Sequence, residues 1–237
     1  MISETHLIDC MKFMGTIPNG FYDLAIADPE QGLNIGKARF LQQAHYIRQE
    51  NGSKMLVKAN YAPTSWDAAP ATQQYFNELK RVSKHQIIWG INYFDWAGLG
   101  SGRIKWDKCV AKGASFNSYE YAYCSLIDNE IEFKYLWSGM HQAKSLLEPT
   151  TSQGNKKLNE KRIHPCQKPV NLYRWCLNKF AQPGQKIFDS HLGSQNSRIA
   201  AYDLGFDFYG CENDPAMFDA GNKSFEQFRA QGKLALA

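Results

Sequence analysis

The last third of the chain carries the pattern that most restricts the possible fold. Two short apolar segments flank a loop with one glycine and a helical segment. The first apolar segment ends in an acid, and the second is followed by one. In chain order the predicted elements are strand Lys186–Asp189, loop 190–194, helix 196–204, strand 206–211 and the acid Glu212. Such a βαβ unit requires a parallel sheet, and its first loop is where a nucleoside cofactor binds. We therefore predict an α/β fold.

The loop also limits the kind of ligand. Gly193 lets the backbone approach a ligand closely, and Glu212 stands where an acid receives ribose hydroxyls. The loop is not GxGxxG, because Gln195 and Asn196 follow where further small residues would stand. A pyrophosphate needs more glycine than this, so a dinucleotide, and with it a nicotinamide dehydrogenase, is disfavoured.

Elsewhere the chain alternates apolar strands with helical spacing. The remaining predicted strands are Tyr22–Ala27, 86–90, Arg103–Asp107, 119–126 and 131–137, and the remaining predicted helices are 71–83, Val170–Phe180 and 215–229. Two stretches, 31–70 and 139–163, show little periodicity, and long connections of that kind are usually functional. We expect one domain over residues 1–237 that contains these two stretches as insertions.

Composition excludes several classes of protein. With 43% hydrophobic and 14% aromatic residues among 237, the chain is not disordered. It has neither a membrane-length apolar run nor a signal-peptide core, so we expect a cytoplasmic protein without a membrane partner. Its six cysteines form no CxxC pair, which favours reduced thiols over disulfides or a zinc site.

Charge is unevenly distributed along the chain. The net charge is +4, and residues 134–168 hold seven Lys or Arg against two Glu. A basic stretch of this kind is typical either of a nucleic-acid face or of a solvated lysine-rich loop. Charge alone leaves both interpretations open.

Two further motifs lie where an α/β protein binds ligands. Asp28-Pro29 follows a predicted strand, where its carboxylate either faces a ligand or caps its own backbone in a turn. HPCQKP at 164–169 places His164, Gln167 and Lys168 between two prolines, just upstream of the glycine loop. Either motif alone also fits a structural turn or linker, whereas the combination with DSHLGS at 189–194 is far more specific.

The combination resembles the amino-methylating DNA methyltransferases. It is most similar to the phage and mobile-element branch that modifies adenine, and the motif order, Asp28-Pro29, then 164–169, then 189–194, is that of the permuted β class. Segments 66–67, 75–94 and 101–108 are similar to that branch too, so the resemblance covers most of residues 22–229. It implies a Rossmann-like fold with a mostly parallel sheet and helices on both faces.

The resemblance also implies a reaction and its residues. S-adenosylmethionine would donate a methyl group to the exocyclic amino group of adenine in double-stranded DNA, with the base flipped out of the duplex. Asp28 and the Pro29 carbonyl would accept hydrogen bonds from the two amino protons and stabilise the charge developing on nitrogen. Expected cofactor contacts are Asp28, His164, Gln167, Lys168, Asp189, His191, Gly193, Ser194 and Glu212. Expected nucleic-acid contacts are Lys37, Arg39, Lys156, Lys157, Lys161 and Arg162.

One departure from the family pattern keeps alternatives open. The family motif Asp-Pro-Pro-Tyr reads Asp28-Pro29-Glu30-Gln31 here, so the aromatic residue that stacks on the flipped base is missing. Tyr61, Tyr93 and Phe94 are candidate replacements. Three hypotheses remain: an active adenine methyltransferase, a degenerate fold that binds DNA or a partner without methyl transfer, and a methyltransferase acting on RNA or a protein amide. β-class relatives often pair, so a homodimer is a further expectation, whereas the target sequence is not readable.

Overall fold

The structure is a computed structural model. It describes residues 1–35, 45–48, 54–57, 67–110, 117–138, 141–164 and 166–234, with the backbone alone at 45–48, 54–57 and 232–234. The chain divides into two compact units, one made of Met1–Pro29 with Thr72–Ala237 and the other of Glu30–Ala71.

The larger unit is built on one eight-stranded sheet. Its strands are β1 (Ser3–Leu7), β2 (Tyr22–Ala27), β5 (Ser83–Trp89), β6 (Arg103–Asp107), β7 (Tyr119–Cys124), β8 (Glu130–Lys134), β11 (Lys186–Asp189) and β12 (Asp207–Glu212). They lie in the order β1-β12-β11-β2-β5-β7-β6-β8. All neighbouring strands are parallel except β7, which is antiparallel to both β5 and β6. The predicted mostly parallel α/β sheet is confirmed.

Five α-helices of the described part of the chain pack around this sheet. They are α1 (Cys10–Met14), α2 (Gln73–Val82), α3 (Val170–Phe180), α4 (Asn196–Asp203) and α5 (Pro215–Leu234). α1 packs on α2, while α4 packs on both α3 and α5. Residues 24–27 of β2 are buried without interruption, as expected for a central strand covered on both faces.

Several elements match the sequence pattern closely. In α2 the buried residues are the predicted apolar set Tyr75, Phe76, Leu79 and Val82. The side chain of Thr72 accepts a hydrogen bond from the Tyr75 amide and so caps the first turn. The predicted bounds of β2, β6, α3 and β11 are those observed.

Other predicted bounds were wrong. β5 starts at Ser83, three residues before the predicted strand, because the chain passes from α2 into the sheet without a loop. The predicted strand 131–137 ends at Lys134, and Trp137–Ser138 forms a separate strand, β9, paired with β10 (His141–Gln142). α5 runs five residues past its predicted end.

β1 and α1 were not predicted. β1 (SETHL) is a polar, half-exposed edge strand that pairs in parallel with β12, from Ser3 opposite Phe208 to Leu7 opposite Glu212. α1 has five residues, too few to show helical periodicity, and is capped by the Asp9 side chain, which accepts from the Lys12 amide. Neither element carries an apolar pattern that sequence analysis could detect.

In the smaller unit the described residues include two strands within the segment 31–70 that was predicted to be irregular. Strands β3 (His45–Arg48) and β4 (Lys54–Val57) form an antiparallel pair. The Asp67 carboxylate, 3% exposed, accepts backbone N–H groups at distances of 2.8–3.2 Å. These donors are the amides of Gln31, Gly32, Leu33 and Ile35. Asp67 thus fixes the start of this unit to its end.

The described residues offer neither a membrane span nor a metal cluster. Among them, no helix has the length and apolar character needed to span a bilayer. Within the same residues, no group of three or more His, Cys, Asp or Glu is arranged to hold a metal ion.

Candidate active site

The sheet brings the predicted acidic residues to one edge. β11 lies beside β2, with Phe188 opposite Ala25, so Asp189 and Asp28 both stand at the carboxyl ends of neighbouring parallel strands. β12 lies on the other side of β11 and ends at Glu212. In open α/β sheets this edge is where ligands bind. Asp28, Asp189 and Glu212 therefore lie at the same edge of the sheet.

Asp28 is held by a buried lysine. The Nζ atom of Lys168, a residue only 4% exposed, makes a short hydrogen-bonded ion pair with Asp28 Oδ2. The same ammonium lies 3.3 Å from Glu120 Oε2 and 5.6 Å from the ring centre of Trp89. Glu120 Oε1 in turn lies 2.5 Å from Lys108 Nζ. Two predicted motifs, 28–29 and 164–169, thus meet at one ion pair.

The two carboxylates at Lys168 differ electrostatically. Burial raises the pKa of Asp28, an effect that the Lys168 charge opposes and the Glu120 charge reinforces. Burial would also raise the pKa of Glu120, but the ammonium groups of Lys168 and Lys108 outweigh it and lower that pKa to about 2. Glu120 is therefore an anion throughout the ordinary pH range, and Asp28 is the more basic of the two.

The glycine loop is organised by Asp189. Its Oδ1 accepts the His191 amide at 3.0 Å and its Oδ2 accepts the Ser197 hydroxyl at 2.5 Å, so one carboxylate ties the loop to the first turn of α4. Burial raises the pKa of Asp189 to about 6, although both hydrogen bonds act in the opposite direction. Gly193 has φ +48°, a conformation that glycine adopts without strain. Ser194, next in the loop, is buried.

Glu212 faces the same loop from β12. Its Oε2 accepts the Gly193 amide at 2.9 Å, and its Oε1 accepts the amides of Asn213 and Asp214 at 2.9 and 3.0 Å. The carboxylate is thus oriented by three backbone groups at the end of its strand. A carboxylate fixed there suits the hydroxyls of a ribose.

His191 connects the loop to α1 and α2. Its Nδ1 lies 2.9 Å from Ser190 Oγ, which in turn is 2.8 Å from the Tyr75 hydroxyl. Its Nε2 lies 3.9 Å from Cys10 Sγ. These contacts orient the imidazole, and a cofactor contact by His191 stays a prediction.

The side chains of His164 and Gln167 each make hydrogen bonds within their own segment. Gln167 Oε1 accepts the Ile163 amide at 2.9 Å and its Nε2 donates to the Lys161 carbonyl at 3.2 Å. His164 Nδ1 accepts the Cys166 amide at 3.3 Å. Burial, together with the nearby Lys168 charge, lowers the pKa of His164 to about 4, so the ring is neutral at pH 7. Their cofactor contacts also stay predictions.

Glu160, a half-buried acid that no sequence motif marks, joins two of the predicted motifs. Glu160 Oε1 accepts the Val170 amide at 2.9 Å, at the start of α3, and its Oε2 accepts Asn196 Nδ2 at 3.1 Å. Asn196 also donates to the Lys168 carbonyl at 2.7 Å. Burial raises the pKa of Glu160 to about 7. Glu160 precedes the proline motif by only four residues, but nothing in its sequence context marks it as a residue that contacts two helices.

The candidate replacements for the missing aromatic residue differ in exposure. Phe94 is 1% exposed and packs on Phe76 at 5.1 Å, so its faces are occupied. Tyr93 is half-buried, and Tyr61 lies outside the described residues. Trp96, which was not considered from sequence, is 45% exposed. It lies on a 3-10 turn, Asp95–Ala97, in the connection that leaves β5 at the same edge as Asp28, since Ala27 pairs with Ile88.

The predicted nucleic-acid contacts are only partly described. Lys156 and Lys157 are exposed on a 3-10 turn, Lys156–Leu158, and Lys161 is exposed just beyond it. Arg162 lies with its guanidinium 5.5 Å from the ring centre of Trp137. Lys37 and Arg39 fall outside the described residues.

Known proteins of similar structure include three methylase-type chains. The chain is 14% identical to that in the M1.HpyAVI–SAM complex, with a TM-score of 0.54 and coverage of 94% of this chain and 99% of that one. TTHA0409 from Thermus thermophilus, complexed with S-adenosyl-L-methionine, is 14% identical with a TM-score of 0.52, and the match covers 94% of this chain and 95% of that one. The cytosine-N4-specific PvuII DNA methyltransferase is 12% identical with a TM-score of 0.54, and the match covers 97% of this chain and 91% of that one. At these identities the likeness shows the fold.

The family comparison is more specific. A family model described as DNA methylase, of the N6 and N4 type, matches residues 30–223. The match includes both the 164–169 and the 189–194 motifs. It begins two residues after Asp28, and the place of Asp28 beside Asp189 is shown by the pairing of β2 with β11. Because the matched stretch is most of the chain, this protein belongs to the DNA methylase family.

Proposed function

We propose that this protein is an S-adenosylmethionine-dependent DNA methyltransferase of the permuted β class, from the phage and mobile-element branch, and that it methylates the exocyclic amino group of adenine. The observation that carries the proposal is the meeting of Asp28, Asp189 and Lys168 at one edge of the sheet. The bound cofactor named for M1.HpyAVI and TTHA0409 supports the choice of methyl donor.

The residues at this edge fit an adenosyl sulfonium better than a dinucleotide. The loop after β11 has a single glycine with positive φ, at Gly193, so it lacks the glycine-rich cradle of a pyrophosphate. Asp189 and Glu212 supply acids at the ends of adjacent strands. We propose that Glu212 receives the ribose hydroxyls and that Asp189, His191 and Ser194 shape the rest of the pocket.

The amino nitrogen is a weak nucleophile because its lone pair is delocalised into the base. Asp28 and the Pro29 carbonyl would each accept a hydrogen bond from the amino group, which localises the lone pair and stabilises the positive charge that develops on nitrogen. When bound, the cofactor supplies a methyl group already activated on sulfur. The remaining contribution of the chain is alignment of nitrogen, methyl carbon and sulfur in line.

We propose adenine rather than cytosine as the target base because the motifs resemble those of the adenine-modifying branch. The matched family includes both N6 and N4 enzymes, and PvuII methyltransferase is cytosine-N4-specific, so the base is a separate part of the proposal. We further propose that segments 31–70 and 139–163 are inserted recognition segments within one methyltransferase domain. On this proposal Lys37, Arg39, Lys156, Lys157, Lys161 and Arg162 meet DNA phosphates. A homodimer is proposed from the class resemblance alone.

The test is transfer of label from methyl-labelled S-adenosylmethionine to mixed-sequence duplex DNA, followed by nucleoside analysis. RNA of the same length serves as the competing acceptor. The proposal expects N6-methyladenine from the duplex. N4-methylcytosine would overturn the choice of base, preferred labelling of RNA would overturn the choice of substrate, and cofactor binding without any labelled acceptor would favour the degenerate alternative. Sedimentation of the purified protein tests the dimer separately.

A further inference from the structure

Glu120 reaches the site from the strand that runs against the rest of the sheet. β7 is antiparallel to both neighbours, and Glu120 pairs with Trp106 near the end of β6. The Gly90 amide donates to the Tyr121 carbonyl at 2.9 Å, which sets the start of β7 beside the end of β5. The first residues of β7 therefore lie at the edge where β2 and β5 end.

Glu120 and Asp28 share one ammonium group. Lys168 Nζ bonds Asp28 Oδ2 and lies 3.3 Å from Glu120 Oε2, while Lys108 Nζ lies 2.5 Å from the other oxygen of Glu120. The four groups form the row Lys108, Glu120, Lys168, Asp28, in which charges alternate and sum to zero. Because an ammonium has three N–H donors, Lys168 bonds both carboxylates without releasing either.

A shared lysine matters for the proposed reaction. A carboxylate fully engaged by one lysine is a poor acceptor for the amino protons of a base. We propose that Glu120 is a positioning residue of the methyl-transfer site: by holding Lys168 it leaves the Asp28 carboxylate able to accept the substrate amino group. This inference rests on the function proposed above and adds a residue that no motif marks.

The transfer step conserves atoms and electrons. The nitrogen lone pair forms the N–C bond, the C–S bond breaks, and its electron pair stays on sulfur, which leaves a neutral thioether. The nitrogen, now positive, loses one proton to Asp28, which becomes a neutral acid. Lys168 is then held by Glu120 alone, so its charge stays paired, and the proton on Asp28 passes to water after the base leaves.

The charged and titratable groups around Asp28 come from several elements. They are Lys168 before α3, Tyr173 on α3, Glu120 on β7, and Asp189 and His191 at the end of β11. The Glu120 charge raises the pKa of Asp28, so its removal lowers that pKa. Loss of Glu120 therefore makes Asp28 both more tightly paired and less basic.

The experiment compares Glu120→Gln with Glu120→Asp and with a control, Glu132→Gln. Glu132 is an exposed carboxylate on β8, paired with Lys105 and Lys134, so it controls for removal of one negative charge. Selective ¹³C labelling of Asp side chains follows the titration of Asp28, whose signal is assigned by its absence in Asp28→Asn. Methyl transfer is measured as a function of pH on the same proteins.

We expect the Asp28 titration midpoint in Glu120→Gln to fall by about one pH unit. We expect kcat to drop roughly tenfold, with the KM for S-adenosylmethionine unchanged and the acid limb of kcat moved to lower pH. In Glu120→Asp we expect smaller decreases of the Asp28 midpoint and of kcat, and in Glu132→Gln we expect both to stay at their wild-type values. An unmoved midpoint in a folded Glu120→Gln, or wild-type kcat in that variant, overturns the inference.

The titration separates this inference from the proposed function. If wild-type protein transfers no methyl group, the function fails, and the midpoint still reports whether Glu120 and Asp28 share Lys168. If Glu120→Gln does not fold, Glu120→Asp carries the test. The shorter aspartate side chain holds its carboxylate farther from Lys168, which predicts a smaller fall in the same midpoint, and an unchanged midpoint there overturns the inference.

Discussion

Asp28 and Glu120 face the same ammonium but have opposite pKa shifts. Glu120 has two lysines, Lys168 and Lys108, whose charges outweigh its burial, whereas Asp28 is dominated by burial. Groups whose environments move their pKa values apart in this way are typical of acid–base sites. At the scale of single residues, the site therefore has one carboxylate that stays ionised, Glu120, and one whose pKa is raised, Asp28.

Trp96 is the exposed aromatic residue that we expect to replace the missing motif tyrosine. Lys80 Nζ donates to the carbonyls of Ala97 and Gly98 at 3.2 Å, which fixes the loop that carries Trp96. Stacking on a base is worth about 1–3 kcal/mol, so Trp96→Ala should lower kcat/KM for duplex DNA by roughly tenfold to a hundredfold. Trp96→Phe should retain most activity. Equal activity of the alanine and phenylalanine variants would exclude a stacking role.

At the scale of elements, the segment before α3 is fixed by side chains that reach far along the chain. The Gln142 side chain, on β10, bonds both backbone groups of Glu160, at 2.7 and 2.9 Å. Glu160 then contacts the first amide of α3 and Asn196 at the start of α4. These bonds connect Glu160, two residues after the turn Lys156–Leu158, to the first residues of α3 and α4.

Glu160 should make stability depend on pH in a defined direction. Its pKa is about 7 in the folded protein, raised from 4.5, so folding takes up a proton between these values. Its contribution is full below about pH 4.5 and is lost as pH rises through about 7. Thermal unfolding should show a smaller fall in Tm from pH 6 to pH 8 in Glu160→Gln than in wild type. Parallel Tm curves for the two proteins would show that Glu160 is not the cause.

The exposed lysine turn should affect DNA affinity through charge alone. If Lys156 and Lys157 meet DNA phosphates as proposed, their replacement by Ala removes two phosphate contacts, so the slope of log Kd against log salt concentration should decrease by about 2, whatever the DNA sequence. Fluorescence anisotropy at several salt concentrations measures this. The matched control is the double variant Lys84→Ala/Lys186→Ala. These two lysines lie at the opposite edge of the sheet, where β5 and β11 begin. A control variant that loses as much slope would place the DNA elsewhere.

At the scale of the whole molecule, sequence predicted what local patterns encode. The βαβ unit, the buried strand before Asp28 and the amphipathic face of α2 follow from periodicity and turn residues, and all are present. β1 was missed because an edge strand needs little apolar sequence. Glu120 and Glu160 were missed because their roles depend on long-range contacts, such as the antiparallel direction of β7, which no short window of residues contains.

The central claim is that Asp28 serves the methyl acceptor rather than the fold or the cofactor pocket alone. Asp28→Asn tests it most directly, because the amide keeps the shape and one acceptor but loses the charge. Calorimetry with S-adenosylmethionine and label transfer to duplex DNA should be measured on the same two preparations. We predict similar heats of binding for wild type and variant, with transfer reduced by about 10²–10³-fold in the variant. Transfer by Asp28→Asn at the wild-type rate, with equal binding heats, would contradict the account.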